Sequence, residues 1–121
     1  MLKNYLLVGL GGGLGAMLRF LVYLSFKSTT FPYMTLFINI AGSFIIGLLI
    51  GLSVKELNFP TGLKLFLATG ICGGFTTFSA FSIENVELLI AGKYNAAFLY
   101  IAASVCLGIA AAWLGFKLIN I

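Results

Sequence analysis

The sequence contains no histidine and no aspartate. Its only acidic side chains are Glu56, Glu84 and Glu87. Acid–base catalysis and most transition-metal sites draw on histidine and clustered carboxylates, so the chain lacks the groups for either. Serine, threonine and cysteine are present as nucleophiles, but nothing is available to activate them, which argues against an enzyme. The two cysteines, Cys72 and Cys106, have neither CxxC spacing nor a histidine partner and read as small buried hydrophobes. Charge is also scarce: 8% of residues, against about 25% in a soluble domain. The six lysines (Lys3, Lys27, Lys55, Lys64, Lys93 and Lys117) form no basic run for nucleic acid or a membrane surface. Each falls near the border of an apolar stretch, where a snorkelling ammonium reaches the headgroups. Proline occurs twice, as Pro32 and Pro60, both between apolar stretches, where it begins helices without breaking them.

Hydrophobic residues, 61% of the chain, fill the space that charge leaves. They form four stretches, about 5–26, 33–54, 62–91 and 96–119, each near or above the ~20 residues that cross ~30 Å of hydrocarbon. The expected fold is an all-α membrane protein, one four-helix transmembrane domain over residues 1–121. The first stretch is too long for a signal-peptide core, is interrupted by Arg19 and precedes no A-x-A site, so it reads as a retained span. Four spans put both termini on one side, with Lys3, Lys55, Lys64 and Lys117; Lys27 and Lys93 lie on the other. Four lysines against two is a weak orientation bias, so insertion in both directions and antiparallel pairing stay open.

The third stretch is anomalous. At ~30 residues it is long for one straight helix. It carries Gly70, Gly73 and Gly74, the adjacent Thr76 and Thr77, and Phe75, Phe78, Phe81 and Glu84 at three-residue steps. An opened helix in hydrocarbon leaves polar backbone groups unpaired at several kcal/mol each, so it survives only where those groups face protein, an ion or water. Two readings compete: a helix broken at the glycines, as in transporters that place backbone groups at the midplane, or an intact helix whose glycines allow close packing. The break is favoured.

Helical spacing aligns further residues. Thr35, Asn39, Ser43, Gly47 and Gly51 recur every four residues on the second span. Helix packing explains the small members; Asn39, a primary amide in hydrocarbon, demands partners and fits a pore-facing donor. On the first span Gly12, Ala16, Arg19 and Tyr23 share a face, and Gly9/Gly13 and Gly11/Gly15 give overlapping GxxxG spacings. Arg19 either snorkels or supplies a fixed positive charge at the mouth of an anion path. On the fourth span Tyr100, Ser104, Gly108 and Ala112 align. Phenylalanine rings have positive edges. Two such edges can help replace an anion's hydration without the full cation that would prevent its release.

These residues resemble the small four-span fluoride channels of the Fluc or CrcB type, and the likeness covers essentially the whole chain. Its carriers are Gly11-Gly12-Gly13-Leu14-Gly15-Ala16-Met17-Leu18-Arg19, the stretch Thr35–Phe44 around Asn39, and Gly73-Gly74-Phe75-Thr76-Thr77-Phe78-Ser79-Ala80-Phe81. The resemblance implies an antiparallel, dual-topology homodimer in the cell membrane of a prokaryote, with two fluoride pores and the third helix broken near its centre. It implies a pore lined by Asn39, Phe78, Ser79, Phe81, Glu84, Tyr100 and Ser104, with Arg19 near the aqueous vestibule. It also implies a central sodium ion at the dimer axis, held by the backbone carbonyls of Gly73 and Thr76. Ala80, Gly108 and Ala112 stand where some relatives carry hydroxyls.

The function so implied is passive, selective export of fluoride that entered the cell as HF and ionised inside. Two rivals stay open on the residues: a proton-coupled small-molecule exporter of small-multidrug type, using Glu84 or Glu87 as its membrane carboxylate, and an accessory membrane subunit.

Overall fold

A computed structural model describes residues 1–121, helical outside short connectors. The elements are α1 (Leu2–Ser25), α2 (Tyr33–Lys55), α3 (Thr61–Lys64), a π-helical stretch (Leu65–Cys72), α4 (Gly73–Phe75), α5 (Phe78–Ile90) and α6 (Tyr94–Ile119). Four helical runs are long and apolar enough to cross a membrane: Leu2–Ser25, Tyr33–Lys55, Thr61–Ile90 and Tyr94–Ile119. Pro32 and Pro60 cap the starts of α2 and α3. The last connector is shorter than expected, because α6 begins at Tyr94 rather than Ala96. Gly92 turns the chain there at φ +75°, a left-handed conformation that suits glycine. Gly92 N–H donates to the Leu89 carbonyl (3.1 Å) and Lys93 N–H to the Leu88 carbonyl (2.8 Å), the paired bonds that close a helix C-terminus.

Two tight helix pairs build the bundle: α1 against the first half of the third span, and α2 along α6. Glycine makes both possible. A Cβ on Gly70 would meet the Gly11 Cα at 2.8 Å, and one on Gly74 would meet the Gly12 carbonyl carbon at 2.9 Å. Across the other pair, a Cβ on Gly47 would meet the Ala112 carbonyl carbon at 2.9 Å, and one on Gly115 the Leu48 nitrogen at 2.9 Å. Of the two GxxxG spacings, Gly11/Gly15 packs against the third span, whereas Gly9 and Gly13 meet nothing within 4 Å. Only 17 of 121 residues are buried. The exterior is apolar around most of the bundle, as lipid or another apolar surface requires.

The third span is interrupted, but not at its glycines. Gly73 is right-handed helical at φ −63°, ψ −38°. The chain leaves the helix at Thr76 (φ −78°, ψ 158°) and Thr77 (φ −151°, ψ 120°) and resumes at Phe78. Gly70 and Gly74 serve close packing on α1, so the two competing readings each describe one part of the span. The interruption also separates Phe75 from Phe78 and Phe81, which therefore do not continue one helical face.

Candidate functional site

Side chains from α1, α2, α5 and α6 converge in a polar layer. Tyr100 donates its hydroxyl to Glu84 Oε1 (2.7 Å), and Thr35 Oγ1 donates to Glu84 Oε2 (2.7 Å). With Thr35's single proton so used, Tyr23 OH donates to Thr35 Oγ1 (2.6 Å). Tyr100 and Thr35 are fully buried, so each is held by its bonds rather than by water. The sequence stripes marked Thr35 and Tyr23 as inward-facing. Their convergence on Glu84 needs the tertiary arrangement. A cavity of ≈ 290 Å³ reaches this layer, lined by Tyr23, Thr35, Glu84, Glu87 and Lys93 among others.

One turn deeper along α2, Asn39 meets the interruption of the third span. Its Nδ2 donates to the Thr77 carbonyl (3.0 Å), and its Oδ1 accepts the Thr77 N–H (2.8 Å). Asn39 thus finds the partners that a buried amide demands. Thr77 caps α5, its Oγ1 accepting the Ala80 N–H (3.1 Å) and contacting Ser79 Oγ (3.2 Å). A second cleft, of ≈ 350 Å³, is lined here by Asn39, Ser43, Gly73, Thr76, Thr77 and Phe78.

Between the two levels stand the rings. Phe78 and Phe81 lie 5.7 Å apart, centroid to centroid, at 39°. Phe81 packs on Tyr100 at 5.0 Å. Phe78 is 78% exposed in the single chain, Phe81 half-buried. Ser79 is exposed. Ser104, one turn beyond Tyr100, has a buried Oγ with no hydrogen-bond partner in the chain. A Cβ on Gly108 would come within 3.9 Å of Ser43 Oγ, so α2 and α6 continue close together past Ser104.

Arg19 does not sit free at an interface. Its Nε donates to the Gly74 carbonyl at 3.2 Å. A cation there neutralises the carbonyl end of the first half-helix. The Cβ built on Gly42 would collide with Thr76 Cγ2, so Gly42 makes the space in which Thr76 turns out of the helix.

No three histidine, cysteine, aspartate or glutamate side chains come together as metal ligands. Hydroxyl, amide and backbone carbonyl oxygens remain as donors for a hard cation. Gly73 and Thr76 both line the second cleft, and the Thr76 carbonyl receives no backbone hydrogen bond. A carbonyl in the last helical turn, as at Gly73, and one on unwound backbone, as at Thr76, suit an alkali ion. Sequence reasoning overlooked Thr77 and Thr35 as site residues; their signals were a threonine just before a resuming helix and a place in the Asn39 stripe.

Four apolar spans with buried polar groups between them define a small multi-pass membrane protein. Residues 6–116 match the family described as CrcB-like protein, Camphor Resistance (CrcB), and the chain belongs to it. It is 46% identical over 121 residues to the fluoride-specific ion channel FluC of Azobacteroides pseudotrichonymphae, covering 98% of this chain and 97% of the relative. It is 50% identical over 117 residues to the fluoride-specific ion channel FluC of Flavobacterium psychrophilum, covering 94% of each. A Listeria innocua relative, fluoride-specific ion channel FluC 1, is 43% identical over 121 residues and 98% of each chain. These names describe an ion channel and not an enzyme.

Proposed function

We propose that this chain is a passive, selective fluoride channel that lowers cytoplasmic fluoride by letting the ion leave across the cell membrane. The observation that carries the reading is the succession along the bundle of a Glu84–Tyr100–Thr35 layer, the Phe78 and Phe81 rings, and the Asn39 amide at the interrupted third span. The names of the relatives support it. Fluoride moves from the Asn39 N–H that Thr77 leaves free onto positive ring edges, each weak enough to release it. Ser79 and Ser104 add hydroxyls along the way. Ser104 Oγ, buried and without a partner in the chain, is a donor suited to a passing anion. Arg19, fixed to Gly74, contributes positive potential without closing on the ion.

The working unit in this reading is an antiparallel, dual-topology homodimer with two pores. The weak lysine bias permits both orientations. Phe78 at 78% exposure then finds its cover in the second copy. A sodium ion at the axis would be held by the Gly73 and Thr76 carbonyls of both copies, where it supplies structural cross-linking. The proton-coupled exporter remains the rival, because Glu84 is a membrane carboxylate. Efflux from proteoliposomes separates the two. Fluoride release that spares chloride and needs no proton gradient supports the channel. Drug-driven proton flux without fluoride release supports the exporter.

A further inference from the structure

A continuous α-helix through the third span would send the Thr77 N–H to the Gly73 carbonyl and the Ala80 N–H to the Thr76 carbonyl. Neither bond forms. The Thr77 N–H donates instead to Asn39 Oδ1 at 2.8 Å, and the Ala80 N–H to Thr77 Oγ1 at 3.1 Å. Two side-chain oxygens have taken the two donors, and the two carbonyls that lose them belong to Gly73 and Thr76, both among the residues lining the second cleft. Three neighbouring carbonyls, by contrast, have partners. The Cys72 carbonyl accepts both the Thr76 N–H (3.0 Å) and Thr76 Oγ1 (2.8 Å). The Gly74 carbonyl accepts Arg19 Nε (3.2 Å), and the Thr77 carbonyl accepts Asn39 Nδ2 (3.0 Å). No proline lies within the span and Gly73 is right-handed helical, so neither a proline nor a left-handed glycine explains the interruption.

We propose that Asn39 and Thr77 are positioning residues that keep the Gly73 and Thr76 carbonyls unpaired for a hard cation. The inference rests on the sodium reading above and assigns the side chains that create the site rather than the atoms that fill it. It also ties the two ions together. An amide has two N–H groups, and only one of Asn39's is spent on Thr77. The same side chain that opens the cation site through Oδ1 has a donor left for the anion.

The test is thermal unfolding of the purified full-length protein in detergent, with Na⁺ exchanged for N-methylglucamine at constant ionic strength. The wild-type midpoint is expected to rise with Na⁺. Thr77→Val, which loses the acceptor for Ala80, is expected to raise the half-saturating Na⁺ about tenfold, since a competing hydrogen bond must be displaced. Thr77→Ser keeps the hydroxyl and is expected to match the wild type. A general loss of stability lowers all midpoints without moving the half-saturating concentration. If Thr77→Val responds to Na⁺ as the wild type does, the proposal is overturned. A wild type that ignores Na⁺ overturns the cation reading itself, and the proposal with it. Should Thr77→Val not fold, Asn39→Leu against Asn39→Asp gives the same contrast, because aspartate keeps an oxygen for the Thr77 N–H. Loss of the response in the leucine variant alone supports the proposal; an equal response in both overturns it.

Discussion

Tyr100 donates its hydroxyl to Glu84 Oε1 at 2.7 Å, joining α6 to the half-helix α5, which packs chiefly on α6. The same Tyr100 ring meets Phe81 at 5.0 Å and Phe31 at 5.6 Å. One residue therefore sets both the Glu84 carboxylate and the Phe81 ring.

Tyr100→Phe keeps the ring contacts and removes only the hydroxyl. Interhelical hydrogen bonds in membranes are worth ~0.6–1.7 kcal/mol. A double-mutant cycle of Tyr100→Phe with Glu84→Ala, which removes the acceptor, is expected to give a coupling of about 1 kcal/mol in unfolding, with reduced fluoride efflux in the Tyr100 variant. Additive effects would place the two side chains apart.

Phe81→Ile removes a ring edge while filling similar apolar space. Fluoride efflux is expected to fall by about tenfold or more, corresponding to at least ~1.4 kcal/mol on the permeation barrier. Oligomeric state by size-exclusion chromatography with light scattering is expected to be unchanged. Undiminished efflux would remove the ring from the path.

Asn39→Asp keeps the oxygen that accepts the Thr77 N–H and loses the Nδ2 donor to the Thr77 carbonyl. Its negative charge repels an anion. The variant is expected to fold and to lose fluoride efflux; normal efflux would put Asn39 outside the pore.

Much of the fold was legible because crossing a bilayer demands length and apolarity, and four stretches met that demand with boundaries within a few residues. The interruption was legible as to span but not as to place. Glycine at Gly70 and Gly74 looked like the breaking element, yet those glycines let α1 approach, and the chain leaves the helix at Thr76 and Thr77. Propensity could not locate it, because the competing partner for the Thr77 N–H is Asn39, 38 residues away. The i+3 phenylalanine series extended too far for the same reason. It assumed one helix through Phe75, where the structure has two. The polar stripe does form one inward face of α2. Its division of labour, with Thr35 serving Glu84, Asn39 serving Thr77 and Gly47 packing on Ala112, appears only when the neighbours are in place.

The close α2–α6 contact makes its own prediction. Gly47→Ala would push a methyl group into the Ala112 backbone. Overpacking of this kind costs ~1–3 kcal/mol, so the unfolding midpoint is expected to drop clearly. Gly9→Ala, where nothing lies within 4 Å, is expected to cause no such loss. Equal behaviour of the two variants would contradict the packing account.

Fluoride efflux from liposomes containing only the purified protein tests the central claim most directly. A fluoride electrode is expected to register rapid release down the gradient, with chloride retained in parallel vesicles and no requirement for a proton gradient. Vesicles that hold their fluoride, or that release chloride as readily, would contradict the account.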